Sequence, residues 1–265
     1  MRKSIFITGG ASGIGRAIAG RFALEGWRIG VGDLDQAGMD ETLSALEGDG
    51  HFTHVFDVTD RAAWDEALST FAVHAGQVDV IVNNAGIPLG GAIGENSEAE
   101  ITRCLDVNLK GALFGAQAAY PYLQASAPGS CLLSTASAAG IWGSPGTSVY
   151  AATKAGVRAM TESLDGEWRD DGIKVRSLCP SFIDTPLLDH APNAGANEMI
   201  RQRVIDAGLE ITPVSEVANA AWRAVHGKGL HQVIGKTAKR MEFARRFTPG
   251  RLRKLAAQVK RPMGR

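Results

Sequence analysis

Three cysteines in 265 residues, Cys104, Cys131 and Cys179, are too few and too scattered for a disulfide framework. Their number is odd and no CxxC spacing occurs, so they read as reduced core thiols and not as zinc ligands. His51, His54, His74, His190, His226 and His231 form no HExxH-like spacing, and no metal site is expected. No apolar run reaches the ~18 residues that would cross a membrane. Behind Met1-Arg2-Lys3, the stretch Ser4-Ile5-Phe6-Ile7-Thr8 is too short for a signal-peptide core and runs into glycines. With reduced thiols, this points to the cytoplasm. Net charge is missing as well. The 28 Lys and Arg balance 28 Asp and Glu, so the whole chain does not read as a nucleic-acid binder. Internal repeats and low-complexity linkers are lacking, which favours one domain.

The neutral total hides an asymmetry. Residues 228–265 hold 12 Lys/Arg and one acid, Glu242, a formal +11. Residues 1–227 hold the remaining 16 bases and 27 acids, a formal −11. A basic appendage follows an acidic body.

What is present is a repeated pattern of short apolar strand, turn and helix. Strands are expected at Ile5-Phe6-Ile7, Arg28 to Gly32, Phe52 to Phe56, Val78 to Val82, Ser130 to Ser134, Lys174 to Cys179 and Gln232 to Ile234. Helices are expected at Ile14 to Leu24, Ala62 to Ala75, Ile101 to Leu123, Tyr150 to Arg169 and Val217 to His226. Such alternation implies a mostly parallel sheet covered by helices on both faces. Ligands bind beyond the carboxyl ends of such strands. Thr8-Gly9, Asp33, Asp57, Asn83-Asn84 and Ser134 all fall at those ends.

The first strand runs into Thr8-Gly9-Gly10-Ala11-Ser12-Gly13-Ile14-Gly15. Gly9, Gly13 and Gly15 let the backbone turn tightly and approach a pyrophosphate, which the N-terminus of the following helix attracts. The strand before and the helix after are the context this motif needs. Asp33 closes the second strand, where a carboxylate accepts hydrogen bonds from adenosine ribose hydroxyls and repels a 2′-phosphate. Neither Leu34 nor Ser12 is basic, so NAD is expected over NADP. A turn cap shared with Asp35 is the competing reading of Asp33.

Thr8-Gly9-x3-Gly13-x-Gly15, Asp57-Val58, Asn83-Asn84-Ala85-Gly86, Asn108, Ser137, Tyr150-x3-Lys154 and Pro180-x4-Thr185-Pro186 occur in this order over residues 4 to 235. On these pieces the chain resembles the short-chain dehydrogenase/reductase family. The resemblance implies a single doubly wound, Rossmann-type parallel sheet of about seven strands. It places Gly9, Ala11, Ser12, Gly13, Ile14 and Gly15 against the dinucleotide, with Asp33 and Leu34 at its ribose. Asp57 and Val58 would flank the adenine, and Asn84, Ala85 and Gly86 would support the adenosine side. Pro180, Ile183 and Thr185 would lie at the nicotinamide end. Ser181 departs from the glycine usual after that proline. The resemblance also implies a homo-oligomer, tetramer or dimer, built on helices 101–123 and 150–169.

Four residues are the catalytic candidates: Asn108, Ser137, Tyr150 and Lys154. A free tyrosine has a pKa near ~10, too high for a good base at neutral pH. Tyr150 and Lys154 stand at i and i+4 of an expected helix and share a face. The Lys154 ammonium is expected to favour the phenolate and to grip the nicotinamide ribose. Ser137 would hold the substrate oxygen. The resemblance assigns Asn108 to a local helix break and a water relay toward Lys154. Together these imply an NAD-dependent oxidoreductase acting on a hydrophobic secondary alcohol or ketone, with Tyr150 as general base or acid. The alternatives are a sensor or scaffold that only binds the dinucleotide, and a membrane-associated dehydrogenase of lipid-like substrates.

The catalytic domain is taken as residues 1–235, with a substrate lid at about 187–212. Ile87, Ala138, Ile141, Trp142 and Ser144 are further wall candidates. Residues 236–265 read as a basic extension of one or two amphipathic helices separated by Pro249-Gly250, with Leu252, Leu255, Ala256 and Val259 on the apolar side. Packing on the acidic body or a neighbouring subunit is the preferred reading of that extension. Contact with an anionic membrane surface ranks second, and an anionic substrate handle third.

Overall fold

The computed structural model describes residues 2–258. Nine strands form: β1 (Ser4–Thr8), β2 (Arg28–Asp33), β3 (Phe52–Val55), β4 (Val80–Asn83), β5 (Cys131–Thr135), β6 (Lys174–Pro180), β7 (Phe182–Ile183), β8 (Ile211–Thr212) and β9 (His231–Ile234). Seven make one parallel sheet in the order β3-β2-β1-β4-β5-β6-β9, and β7 and β8 pair apart from it. The helices are α1 (Gly13–Ala23), α2 (Gln36–Ser44), α3 (Arg61–Ala75), α4 (Glu98–Leu105), α5 (Gly111–Ala125), α6 (Ser148–Glu167), α7 (Ile200–Asp206), α8 (Val214–His226), α9 (Lys236–Phe247) and α10 (Pro249–Gln258).

Side chains alternate across a strand, and β1 shows the result. Ile5 and Ile7 enter the core under α1 and α8, while Phe6 enters the core under α3, α5 and α6. Phe6 packs its ring against Phe71 at 5.3 Å and Phe56 at 6.2 Å. Each such fully buried aromatic contributes about 1.5–3 kcal/mol. Room for these rings explains the sequence of β2, Arg-Ile-Gly-Val-Gly-Asp. A Cβ at Gly30 would come within 2.7 Å of Phe6 and Phe71, and one at Gly32 would overlap Phe56.

Strand order reverses between β1 and β4. A crevice opens there above the carboxyl ends, the ligand position of a doubly wound sheet. Edge strand β9 is pinned by His231, which hydrogen-bonds Ser177 Oγ on β6 at 2.7 Å and Glu162 on α6 at 3.0 Å. The three cysteines are free and buried. Among the described residues no helix is long and apolar enough to cross a membrane.

Several elements differ from the sequence reading, among them the added α7, β7 and β8 around the expected lid. Helix α2 is an addition, weak in periodicity but capped by Asp35, which accepts from Gly38 N at 3.0 Å. The helix expected at 101–123 begins earlier, at a capping box of Ser97 and Glu100. It then passes through a π turn at Asp106–Lys110, so the expected break at Asn108 is a widened turn within a continuous helix. In the extension, Pro249 and Gly250 open α10 and do not separate the helices; the chain bends at Thr248. Proline suits that first helical position because the N–H it lacks would have no partner there. Val259 and the rest of the tail lie outside the described residues.

Candidate active site

Gly9 and Gly13 adopt φ of 65° and 51°, conformations open to glycine at little cost. A Cβ at Gly15 would overlap the Gly9 carbonyl, so α1 presses onto the turn only because that Cβ is missing. Ser12 precedes α1 without capping it by its side chain. The first N–H groups of the helix therefore face the crevice beside Ala11 and Ile14. Thr8 Oγ1 receives Asn84 N and Ala85 N, each at 3.1 Å. Asn84 Nδ2 donates to Thr8 O at 3.0 Å, and its Oδ1 accepts from Thr135 Oγ1 at 3.0 Å. These bonds fasten the ends of β1, β4 and β5 into one floor, with Gly86 just beyond.

Asp33 stands at the tip of β2. Its carboxylate accepts from Ala11 N at 3.1 Å and from Leu34 N at 2.7 Å. It also accepts from Asp35 N at 3.3 Å, the turn-cap arrangement. Leu34 is 60% exposed beside it. Arg16 is the base at this end, and it is engaged by Thr42, Ala11 O, Gly38 O and Glu41. Asp57 and Val58 follow β3; Asp57 accepts from Thr59 N at 2.8 Å, and Val58 packs near Gly111.

At the other end, Ile183 is buried and Thr185 faces the glycine turn. A Cβ at Gly13 would lie 3.3 Å from Thr185 Cβ. Pro180 ends β6 in the core next to them. The glycine turn and the loop of residues 180–186 therefore form two sides of one cleft. The residues present fit a dinucleotide. A cradle without side chains meets an uncapped helix N-terminus, and a carboxylate sits at the ribose end.

The catalytic candidates converge beyond β4 and β5. Lys154 is buried, and its Nζ donates to Thr135 O at 2.9 Å. That is its one hydrogen bond among the described residues, which leaves two N–H donors for a ligand. Tyr150 lies one turn earlier, with Lys154 Nζ 5.8 Å from its ring centre. Ser137 accepts from Ala139 N at 3.1 Å, and its hydroxyl lies near enough to the Tyr150 phenol to favour the phenolate. Gly86 touches the group from below. A Cβ there would sit 3.2 Å from Asn108 Oδ1 and 3.3 Å from Lys154 Nζ.

Electrostatics depart from the sequence reading. Burial pushes the Tyr150 phenol up to about 12, against the lowering effect of the Ser137 hydrogen bond. Burial also pushes the Lys154 ammonium down to about 8. Loss of water is the largest cause at both groups. Asn108 departs too. Its Nδ2 donates to Ile87 O at 2.9 Å and its Oδ1 accepts from Ile87 N at 2.8 Å. Nδ2 also reaches Cys104 Sγ at 3.4 Å. The amide clamps the loop after β4 from within the π turn.

Segment 187–212 lies over this loop. Gly90 N donates to Pro192 O at 2.7 Å, and Asn193 Nδ2 donates to Gly90 O at 2.9 Å. Ala194 N donates to Glu100 at 2.9 Å, a bond that holds the Glu100 carboxyl below its ordinary value together with those from Ser97. Arg201 ties the segment down through Asp184 at 2.7 Å and Asp189 at 2.5 Å. The sequence reading missed Thr135, Glu100 and Arg201. Thr135 holds Lys154 through its carbonyl, which carries no residue signature, and Asn84 through its hydroxyl. Glu100 could have been found by its capping-box spacing from Ser97.

Comparison with known proteins agrees with this geometry. The family described as short chain dehydrogenase matches residues 3–195. A 3-oxoacyl-[acyl-carrier-protein] reductase from Thermotoga maritima is 36% identical over 72% of this chain and 78% of its own. An NADP-dependent (R)-specific alcohol dehydrogenase from Lentilactobacillus kefiri is 30% identical over 84% and 88%. In fold, a short chain dehydrogenase/reductase from Burkholderia phymatum, solved in complex with NAD, superposes with a TM-score of 0.82 over 99% of this chain and 98% of its own, at 24% identity.

Proposed function

The chain belongs to the short-chain dehydrogenase family of oxidoreductases, and on that premise we propose that it transfers a hydride between NAD(H) and a hydrophobic secondary alcohol or ketone. The observation that carries this reading is the Lys154 ammonium, buried one helical turn from Tyr150 with two donors still free beside the dinucleotide cleft. The nicotinamide, when bound, supplies the acceptor or donor of the hydride. Lys154 grips the ribose with its free N–H groups and keeps a positive charge near the phenol. Tyr150, whose phenol burial keeps protonated at neutral pH, gives its proton to the carbonyl oxygen in reduction and takes it back in oxidation. Ser137 donates to the substrate oxygen, where negative charge develops. Asn108 holds Ile87 and hence the wall beside the reacting carbon.

NAD is preferred because Asp33 fills the ribose end and Arg16, the base there, is already neutralised by Glu41. Apolar neighbours of the catalytic candidates favour an uncharged substrate: Ala138 and Ile141 follow Ser137 in the chain, and Ile87 is held by Asn108. The same reading includes a homo-oligomer, tetramer or dimer, through α5 and α6, and a cytoplasmic location, supported by three free thiols. The test is absorbance of reduced nicotinamide with a panel of hydrophobic secondary alcohols, supplying NAD and NADP in parallel. Tyr150→Phe is expected to lower kcat by about 10²–10⁴-fold, the range that general acid–base catalysis contributes. NAD binding without turnover on any substrate would favour a dinucleotide-binding sensor instead.

A further inference from the structure

The extension is anchored on one side and open on the other. Ala238 of α9 is fully buried and Met241 packs on the core. Glu210, at the end of the lid segment, receives Lys236 N at 2.8 Å and so caps α9. The helix lies on β9 and on the turn Ala138–Gly140, directly behind Ser137. Its outward face is different. Phe243 and Phe247 are 62% and 60% exposed, with ring centres 4.8 Å apart. Lys239, Arg240 and Arg246 stand at i−4, i−3 and i+3 from Phe243 and so surround it. Arg246 lies 5.4 Å from the Phe247 ring centre. A groove of about 320 Å³ runs between Lys239, Glu242, Phe243, Arg245, Arg246 and Phe247.

We propose that this outward face of α9 is an interface with a second copy of the chain, meeting its acidic body. The inference rests on the homo-oligomer reading above and names a surface that builds it, apart from α5 and α6. Charge gives the first argument. Residues 236–258 hold eight bases and one acid, and among the described residues only Lys236 of these eight makes an ion pair. The matching formal −11 belongs to residues 1–227. Because the basic face points away from its own body, a second copy is the nearest source of complementary charge. Residue type gives the second argument. Exposed aromatic rings flanked by arginine are the composition of interface centres, where each ring fills a partner's pocket.

The test is the solution mass of the full chain by light scattering, at low salt, for wild type, Phe243→Ser/Phe247→Ser and Arg245→Glu/Arg246→Glu. Circular dichroism checks that each variant is folded. Wild type is expected at a multiple of 28.0 kDa, and both double variants at a smaller multiple. If either folded variant keeps the wild-type mass, the α9 interface is overturned while the oligomer reading stands. A wild type at the single-chain mass overturns both. Sedimentation of the wild type with phosphatidylglycerol vesicles, lost in the variants whose mass is unchanged, would assign the face to a membrane surface and also overturn the proposal.

Discussion

Asp33 serves two masters, and this sets its measurable role. The carboxylate steadies the glycine turn through Ala11 N and, on the proposed function, also meets the ribose. Hydrogen bonds to a charged group contribute about 1.5–3 kcal/mol. Asp33→Ala should therefore weaken NAD at least about tenfold while weakening NADP less, because the repulsion of a 2′-phosphate is removed. Dinucleotide titration followed by protein fluorescence measures both. Lys154 offers a stability signature that does not depend on turnover. Its folded pKa is lowered, to about 8 from 10.5. Below pH ~8 it is protonated in both states and the cost of burying the charge is fully present. Between ~8 and ~10.5 the unfolded chain binds more protons, so stability rises with pH. The integrated gain is about 3 kcal/mol at most. Lys154→Met removes the charge, so its stability advantage over wild type should be largest near pH 7 and shrink toward pH 10. Melting temperatures of the pair across this range would show it; a constant difference would contradict the buried ammonium.

The elements that position the site are held by close approaches. Helix α1 rests on the glycine turn where a Cβ at Gly15 would overlap the Gly9 carbonyl. Gly15→Ala should push the helix N-terminus off the turn and destabilise the protein by about 1–3 kcal/mol, as overpacking does. It should also weaken NAD, because the helix N–H groups lose their aim. Thermal melting with and without NAD separates the two effects, since bound ligand adds stability according to its affinity. The junction of α4 and α5 shows another kind of fit. One extra residue in the π turn rotates Asn108 toward Ile87, a device that often marks functional sites. Helix periodicity at 101–123 predicted one helix and was right about continuity. It could not show the π turn, because an offset of about 100° is legible only between two sharp apolar stripes, and α5 is apolar over most of its surface.

For the whole molecule, the extension is the part whose attachment was least legible. Its first helix is fastened to the body by Ala238 and Met241, and α10 packs on α9. A chain ending after Thr248 should keep its melting temperature within about 2 °C. A chain ending after Gly235 exposes core and should lose about 2 kcal/mol, which for a protein of this size is about 4–8 °C. Equal melting temperatures of the two truncations would show that α9 is not part of the body.

The sequence by itself determined the sheet, the order of its motifs and the residues at the carboxyl ends. These follow from local rules: apolar runs make strands, glycines fix tight turns, and a spacing of four aligns Tyr150 with Lys154. Tertiary structure alone decided what those residues experience. Burial depends on every neighbour, so the high pKa of Tyr150 and the low one of Lys154 had no local signal. Asn108 looked like a helix-breaking polar residue, and only the folded chain brings Ile87 to it from 21 positions away. The lid behaves likewise. Nothing in the spacing of Pro192, Asn193 and Ala194 foretells Gly90 and Glu100 as their partners, because contacts between distant segments are written in shape and not in sequence.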